Sequence, residues 1–559
     1  MLAESHLHQA QAAHRAGRLQ DAEHHYRQAL HIRADLAEVN FSLAAVLMLQ
    51  NKLEEALAVA RAGVGARPNH PLAHRRLGDI FAFQGKMREA EEAYRKAIAL
   101  KPDYLEVHNN LGNILLQRGQ LEEAEKSYHR ALVLRPQFPE ALMNLGSIAL
   151  RKNKPEDAMG LIQRALQMRP DYAEAHNNLG NAYAALRMPQ EAISAFEQAI
   201  VCRANYGEAY NNLGNALLGR GDTARATESF RKAVVLMPDA ADARTNLGNA
   251  YKAAGMLDLA EESYRQAIEL QPDSAAAYQN LAMVACELGR IGEAFALFAK
   301  SAELAPPPSS PRELPDHKVR HDAEQQQWMR SQGISHKPFH LARAARLATA
   351  VRCQSQIEDA WRDAYPKIVV VDDFLTVEAL SLLRNFCLAS TVWNDIHEEG
   401  YLGAMPESGF APPLLAQIAE ELRCAYPAIF GSYPLLHHWA FKYDSTMGGI
   451  KVHADFAAVN VNFWITPDEA NLDCDHGGLV IWDVAAPLDW DFPKYNAADS
   501  EIRKYLRNAG AKSVTVPYRA NRAVIFDSDL FHETDAIHFR DGYENRRINV
   551  TMLYGRRAG

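Results

Sequence analysis

The first half of the chain repeats one pattern every 34 residues. Nine units follow one another without a gap from residue 3 to residue 308. In the third unit the repeated positions are Leu77, Gly78, Phe81, Gly85, Ala90, Tyr94, Ala97 and Pro102. A unit of this length forms two helices that cannot bury their apolar faces alone, so successive units stack into a solenoid. The period therefore excludes a single compact core for this part of the chain.

The pattern resembles that of the tetratricopeptide repeat. Small residues at the positions of Gly78 and Ala90 let the two helices of a unit approach closely. Gly85 makes the turn between them, and Pro102 ends the second helix. Three units depart from the pattern by carrying alanine at the closing proline or the aromatic position, namely Ala34, Ala204 and Ala60. We expect an all-α tetratricopeptide solenoid over residues 1–308.

Asparagine recurs at the sixth position of six successive units, and we call this row the asparagine ladder: Asn110, Asn144, Asn178, Asn212, Asn246 and Asn280. The resemblance places the ladder on the first helices, which line the concave surface. Each amide offers a donor and an acceptor, so the ladder could hold the backbone of an extended peptide. It is similar to the asparagines of the O-linked N-acetylglucosamine transferase superhelix, which hold peptide substrates. The alternative is that these side chains are solvated or hydrogen-bond to neighbouring repeats.

Composition and charge limit the classes of partner. The chain is 48% apolar and 23% charged, which is typical of soluble globular proteins. From Lys367 onward 17 basic and 26 acidic residues give the same difference, −9, as the net charge of the whole chain. We therefore expect neither nucleic acid nor a membrane as a partner. Six cysteines without a CxxC pair, and no signal-peptide or membrane-span pattern, predict a cytoplasmic protein with reduced thiols.

The period ends in a proline-rich stretch, and residues 309–366 are predicted to be a helical linker without chemistry of its own. Beyond it, short apolar or alternating runs separated by turn residues predict six strands: 368–371, 439–443, 459–465, 479–482, 524–526 and 548–554. A helix is predicted between the first two strands, starting at Thr376. For residues 367–559 the natural closure is a β-sandwich or barrel of the jelly-roll kind.

His453 and Asp455 lie two residues apart, so on a strand both point to one face and could bind a metal there. Downstream, His532 ends the apolar stretch that begins at residue 523, and Arg547 opens the last predicted strand. A His-x-Asp pair, a distant histidine and an arginine in this order resemble the 2-oxoglutarate and Fe(II)-dependent dioxygenases, particularly the prolyl-hydroxylase-like branch. The resemblance covers roughly residues 368–554.

The resemblance implies a double-stranded β-helix, or jelly roll, that holds Fe(II) with His453, Asp455 and His532. It also implies 2-oxoglutarate and O₂ as cosubstrates. Two imidazoles and one carboxylate occupy one face of an octahedral ion and leave positions open for both. If no metal is bound, His532 would be a hydrogen-bonded histidine of the core and Asp455 a carboxylate in a turn.

Further site residues follow from the same resemblance. Arg547 is predicted to bind the distal carboxylate of 2-oxoglutarate, because it shares a strand face with Asn549 and Thr551. Arg546, on the opposite face, is the alternative. Residues carried over or placed beside the same pocket are Tyr443, Asn462 and Thr551, while Trp464 and Trp490 are possible lid or substrate contacts. Packing in the core is the alternative for both tryptophans.

These features predict a hydroxylase that modifies a side chain of a protein or peptide held by the solenoid and releases succinate and CO₂. Two alternatives stay open. In one, the jelly roll is inactive and the protein is a non-enzymatic scaffold. In the other, the oxygenase acts on a small molecule and the repeats serve assembly.

Overall fold

A computed structural model describes residues 2–33, 36–305, 314–334, 343–344, 347–350, 354–444, 449–490, 492–497 and 499–557. The chain divides into two compact units, Met1–Pro238 and Asp239–Gly559. The first unit is helical, and the second combines helices with two antiparallel sheets. In the described part of the chain, no helix is both long enough and apolar enough to cross a membrane.

The first unit consists of seven helix pairs, each pair corresponding to one 34-residue repeat. Helices α1 to α14 are Leu2–Arg15, Leu19–Ile32, Ala37–Leu49, Leu53–Ala66, Pro71–Phe83, Met87–Leu100, Leu105–Gln117, Leu121–Leu134, Pro139–Arg151, Pro155–Met168, Ala173–Ala185, Pro189–Cys202, Gly207–Gly219 and Thr223–Leu236. Gly85, between α5 and α6, has φ +73°, a conformation that glycine adopts without strain. The predicted solenoid of helical repeats is present.

Glycine on the first helix of a repeat lets the second helix approach. A Cβ atom added at Gly112 would lie 2.5 Å from Cε1 of Tyr128, which is fully buried. The same contact is made by Gly180 with Phe196 and recurs in most of the repeats. The small residue and the aromatic residue of the sequence pattern are therefore two sides of one packing contact.

The second unit begins with two further helix pairs and continues into the β-rich region. Helices α15 to α25 are Ala241–Ala253, Leu257–Leu270, Ala275–Glu287, Ile291–Leu304, Asp316–Ser331, Gln354–Asp363, Val377–Ala389, Pro413–Ala425, Pro427–Phe430, Phe492–Ala497 and Asp499–Ala509. Three short 3₁₀ helices are Pro406–Ser408, Asp468–Ala470 and Tyr543–Asn545. The side chain of Thr376 caps α21 by accepting a hydrogen bond from the Ala379 amide. This cap accounts for the helix start predicted there.

Ten strands form the two sheets. Strands β1 to β10 are Ile368–Val371, Asp395–Ile396, Tyr401–Ala404, Leu435–Tyr443, Ala457–Trp464, Leu479–Ala485, Ser513–Val516, Ala523–Asp527, Leu530–Thr534 and Arg547–Arg556. Seven of them form one antiparallel sheet in the order β1-β8-β5-β10-β4-β3-β2, and the other three form a sheet in the order β7-β6-β9. An isolated bridge between His453 and His532 links the segment before β5 to β9.

The last repeats and the β-rich region share one hydrophobic core. Phe295 of α18 stacks on His438 of β4, with ring centroids 4.4 Å apart. Buried residues of α17 and α18 belong to the same cluster as the interior of α22 and of the larger sheet. The second unit therefore contains the last two repeats together with the β-rich region.

All six predicted strands are present, but four others were not predicted. The four are β2, β3, β7 and β9, of two to five residues each. The expectation that His532 ends the strand beginning at residue 523 was wrong, because that strand ends at Asp527 and His532 lies on β9, in the other sheet. The predicted helical linker, residues 309–366, contains helices α19 and α20, and part of it lies outside the described residues.

We expect Gly180→Ala to lower the free energy of unfolding by about 1–3 kcal/mol, because the added methyl group overlaps the buried ring of Phe196. Thermal and denaturant melts followed by circular dichroism measure the change. Gly160→Ala on α10 is the matched control, since nothing lies within 4 Å of its added Cβ and alanine favours the helix. Equal effects of the two substitutions would contradict this account of the repeat.

Candidate metal centre

The structure brings His453, Asp455 and His532 together. Their ligand atoms all lie within 4.8 Å of one another, and no other such group of three occurs among the residues described. Nε2 of His532 is 3.4 Å from the Asp455 carboxylate, and Nε2 of His453 is 4.0 Å from it. The bridge between the two histidines explains this proximity, because each backbone N–H donates to the carbonyl of the other residue, at 3.0 and 2.8 Å.

Hydrogen bonds to the backbone orient both imidazoles. Nδ1 of His453 lies 2.8 Å from the carbonyl oxygen of Lys451, and Nδ1 of His532 lies 3.0 Å from that of Leu530. A carbonyl oxygen can only accept, so each Nδ1 carries the proton and donates it. Each Nε2 therefore keeps a free lone pair directed toward Asp455, which is the arrangement that a metal ligand requires.

The surroundings favour the protonation states that bind metal. Burial lowers the pKa of His453 to about 4, so its imidazole is neutral at neutral pH. Burial alone would raise the pKa of the Asp455 carboxyl. Contact with His532 and the hydrogen bond from Asn460 outweigh burial and hold this pKa below its usual range. A neutral imidazole and a carboxylate are the forms that coordinate a divalent cation.

Asn460 is a residue of the site that sequence reasoning missed. Its Nδ2 donates to Oδ2 of Asp455 at 2.6 Å, and it is fully buried on β5. The signal was present in the sequence, because Asn460 alternates with the predicted Asn462 along one strand face. Asn460 bonds the carboxylate oxygen that lies 3.4 Å from Nε2 of His532, while the other oxygen lies 4.0 Å from Nε2 of His453, so Asn460 fixes the orientation of the whole carboxylate.

Arg547 lies in the same cavity as the three ligands and is 1% exposed. Its Nε donates to the carbonyl oxygen of Gly477 at 2.7 Å, and one Nη donates to that of Gly478 at 3.2 Å. The guanidinium lies 4.7 Å from the ring centroid of Tyr443. Among the described residues no carboxylate lies within ion-pair distance of it. A buried charge without a counter-charge is costly, so an anionic ligand would stabilise this site.

Arg546 makes ion pairs of its own. One Nη of Arg546 lies 3.0 Å from the carboxylate of Glu324 on α19 and 3.8 Å from that of Asp444. Arg546 directly precedes β10, and because successive residues of an extended chain point to opposite faces, it points away from the cavity that Arg547 lines. Of the two arginines that the sequence left as alternatives, only Arg547 lines the cavity, and Arg546 is in ion pairs outside it.

The turn before β6 holds the side chain of Arg547 in place. Gly477 has φ +86°, and a Cβ atom added at Gly478 would lie 1.9 Å from the carbonyl oxygen of Val516. Only glycine fits at both positions, and their two carbonyl groups accept hydrogen bonds from Arg547. The glycine pair therefore makes the turn and also positions the guanidinium.

Several polar atoms of the cavity have no hydrogen-bond partner among the described residues. They are the Tyr443 hydroxyl and the side-chain oxygens of Asn460 and Asn462. Nδ2 of Asn462 donates to the hydroxyl of Thr551 at 3.0 Å, which fixes the direction of its free oxygen. The cavity holds about 30 Å³, room for one or two water molecules. A dicarboxylate therefore requires the surrounding side chains to move apart.

The two tryptophans proposed as lid or substrate contacts are both packed. Trp464 is fully buried beside Arg547, with 5.8 Å between the guanidinium and the ring centroid. Trp490 packs against Tyr505, with ring centroids 5.2 Å apart, in a cluster that includes Phe531. These positions match the packing alternative.

The asparagine ladder makes hydrogen bonds between repeats. Asn144 donates from Nδ2 to Oδ1 of Asn113 in the preceding repeat at 2.9 Å, and Asn178 donates to Ser147 at 2.8 Å. Asn110 and Asn212 make corresponding bonds to Asp79 and Asn177, and all six side chains of the ladder are half-buried. The alternative that the asparagines hydrogen-bond to neighbouring repeats is therefore correct for at least four members of the ladder, each of which donates one N–H group in this way. Each amide has a second N–H group and an oxygen with further acceptor capacity.

Comparison with protein families identifies the repeats. Models described as tetratricopeptide repeat match residues 7–71, 42–105, 75–141, 109–173, 143–210, 207–240, 241–274 and 263–296. From residue 7 to residue 296 the chain is a tetratricopeptide-repeat protein, as predicted. Comparison with curated proteins gave no significant match.

Solved structures with similar folds include the APC/C hetero-tetramer Cut9-Hcn1, at 17% identity and a TM-score of 0.39. That match covers 51% of this chain and 57% of the other, so this chain spans little more than half the length of its relative. YrrB, described as a TPR protein with an unusual peptide-binding site, is 27% identical with a TM-score of 0.28, covering 34% of this chain and 97% of YrrB. A thermophilic TPR protein from Thermus thermophilus is 25% identical with a TM-score of 0.29, covering 32% and 98%. TM-scores this low carry no argument about function.

We expect His532→Ala to weaken Co²⁺ binding by at least about 100-fold, because it removes one of three ligands. Asn460→Ala should weaken it by about 10- to 100-fold, since the carboxylate loses the partner that orients it. Isothermal titration and the visible spectrum of bound Co²⁺ measure both effects. The control is His476→Ala, which removes an exposed histidine paired with Asp473. Unchanged Co²⁺ affinity in folded His532→Ala protein would exclude this metal centre.

Proposed function

We propose that the protein is an Fe(II)- and 2-oxoglutarate-dependent dioxygenase that hydroxylates a side chain of a polypeptide held by its repeats. The observation that carries the proposal is one cavity lined both by two histidines and an aspartate and by a buried arginine without a carboxylate partner. The first group is a ligand set for Fe(II), and the second is a receptor for a carboxylate. A dicarboxylate cosubstrate that also binds the metal satisfies both.

The arrangement of the sheets supports the same proposal. A seven-stranded and a three-stranded antiparallel sheet are linked through the bridge at the metal centre. We infer that these sheets are the two layers of a double-stranded β-helix, or jelly roll. In such a fold inward-facing side chains of both sheets line one central site, as the residues of β4, β5, β9 and β10 do in this cavity.

Each residue of the cavity has a task in this reaction. His453, Asp455 and His532 would hold Fe(II), which supplies the redox chemistry that couples oxygen to the decarboxylation of 2-oxoglutarate to succinate and CO₂. Arg547 binds the distal carboxylate of 2-oxoglutarate with its planar fork, and the hydroxyl of Tyr443 donates to the same group. The protein thus contributes orientation and charge neutralisation.

Apolar side chains complete the cavity and exclude water. Trp439 and Phe441 of β4 and Leu479 of β6 line it together with the polar residues. Because these side chains limit the access of bulk water, the hydrogen bonds to Arg547 gain strength in the low dielectric.

The repeats would supply the polypeptide. Beyond the bonds between repeats, the amide oxygens of Asn110, Asn144 and Asn212 keep acceptor capacity. These groups could pair with the backbone of an extended chain regardless of its sequence. Attachment of this surface to the oxygenase raises the local concentration of the residue to be modified.

Anaerobic addition of Fe(II) and 2-oxoglutarate should give a visible charge-transfer band, and aerobic turnover should give succinate. Arg547→Gln should weaken 2-oxoglutarate binding by about 100-fold, because a buried charge pair is lost. Arg546→Gln is the matched control and should keep the wild-type affinity, since Arg546 pairs with Glu324 and Asp444. Folded wild-type protein that binds Co²⁺ but gives no band with Fe(II) and 2-oxoglutarate would favour the scaffold.

The ladder is tested by the double substitution Asn178→Ala and Asn212→Ala in the full chain. Binding of a degenerate fluorescent pool of extended peptides should weaken by about tenfold, as two backbone-binding amides are lost. Gln167→Ala with Gln198→Ala removes two exposed amides from second helices and should leave binding unchanged. Because the asparagines also join repeats, melting curves accompany each variant. Unchanged peptide affinity in the asparagine variant would refute the role of the ladder.

A further inference from the structure

A second cavity, of about 290 Å³, lies within the Asp239–Gly559 unit, and we call it the outer cavity. Its wall combines the last repeat with the end of the larger sheet, and includes Met283 and Glu287 of α17, His437 of β4, Phe456, and Arg556 and Arg557 at the end of β10. A volume of this size holds one amino-acid side chain with its backbone, near the lower limit of ligand pockets.

The outer cavity adjoins the metal centre. Trp439 lines the cavity of the candidate metal centre, and His437 lines the outer cavity. Both residues are on β4. Residues two apart on a strand face the same side and lie about 7 Å apart. Phe456 follows the ligand Asp455 directly and packs edge-on against His437, with ring centroids 5.0 Å apart. A ligand in the outer cavity therefore lies one side chain away from the residues around the metal.

The outer cavity also adjoins the end of the asparagine ladder. Asn280, the last member, lies on α17, and Met283 and Glu287 follow it by three and seven residues. Residues at these spacings share one face of a helix. The helix face that carries the last amide of the ladder therefore continues as a wall of the outer cavity.

Charge in the outer cavity is unbalanced. Arg556 pairs with Glu287, and Arg557 pairs with Asp529 at 2.5 Å, so each carboxylate is matched by an arginine. Lys252 of α15 lies behind the wall of the outer cavity, where its Nζ donates to Sδ of the lining residue Met283 at 3.8 Å. No carboxylate lies within 4 Å of Lys252 in the described part of the chain. Burial lowers the pKa of Lys252, with the charge of Glu287 opposing that shift.

We propose that the outer cavity binds an acidic side chain of the polypeptide substrate through Lys252, next to the residue presented to the metal centre. This inference rests on the proposed function. The aliphatic part of an aspartate or glutamate would pack against Phe456 and Met283. A carboxylate carries one charge and matches the one ammonium group of Lys252, whereas a phosphate, with about two charges, would favour a second cation that is not already in an ion pair. The whole chain has a net charge of −9, so local pairing and not long-range attraction would select an acidic residue.

The test uses the full chain loaded with Co²⁺ and four degenerate peptide pools of equal length, with glutamate, glutamine, lysine or phosphoserine at the central position. Fluorescence polarisation should show the glutamate pool binding about tenfold more tightly than the glutamine pool. Lys252→Glu should invert the preference toward the lysine pool, and Lys252→Met should abolish it. Lys300→Glu makes the same charge change at an exposed ion pair on α18 and should keep the glutamate preference.

Each outcome decides a separate point. Equal binding of the glutamate and glutamine pools by the wild type, or an unchanged preference in Lys252→Glu, would overturn the inference. Stronger binding of the phosphoserine pool than of the glutamate pool would assign the cavity to phosphate and also overturn it. Co²⁺ binding and the anaerobic 2-oxoglutarate band are measured in every variant. If they persist while peptide selectivity fails, the outer cavity is refuted and the oxygenase proposal stands.

Discussion

The candidate site depends on one pair of backbone hydrogen bonds, between His453 and His532. Each residue donates its N–H group to the carbonyl of the other, and this bridge joins a segment of the larger sheet to a strand of the smaller one. Because the two residues are directly opposite in an antiparallel pair, their side chains emerge side by side, with ring centroids 4.3 Å apart. Asp455, two residues along, faces the same side. The backbone pairing therefore brings the three side chains together, and the hydrogen bonds to Lys451, Leu530 and Asn460 then orient them.

The sequence predicted those features that repeat or alternate. A period of 34 residues predicts helix pairs because the two helices of every unit pack through the same contact. The contact of Gly112 with Tyr128 is one example. Alternation along a strand likewise predicted that Arg547 and Thr551 face one cavity and that Arg546 faces away. These inferences need only local geometry, so they hold without knowledge of the tertiary fold.

Features that depend on contacts between distant segments were not predictable in this way. The position of His532 on β9 instead of the preceding strand depends on a tight turn after Asp527, which no apolar pattern marks. The bond from Asn460 to Asp455 and the bonds between ladder asparagines and neighbouring repeats join side chains whose proximity only the folded chain creates. A row of identical polar residues is compatible with both ligand binding and self-pairing, since an amide has enough donors and acceptors for both.

A count of donors shows why the anionic ligand is assigned to the cavity of Arg547 and not to the other buried cation of the sheet. Lys442 is fully buried, and its three N–H groups are taken by the carbonyl of Cys387, the hydroxyl of Tyr543 and, at 3.4 Å, an imidazole nitrogen of His321. Burial also holds the pKa of Lys442 well below its usual value, so the group can lose its charge. Arginine has five N–H groups and stays protonated. The backbone of Gly477 and Gly478 and the side chain of Asn549 accept three of them, and the charged guanidinium lies in the cavity that His453, Asp455 and His532 also line. Every donor of Lys442 is paired within the folded chain, whereas Arg547 has no carboxylate within ion-pair distance among the described residues, and this difference is why we propose the anion site at Arg547.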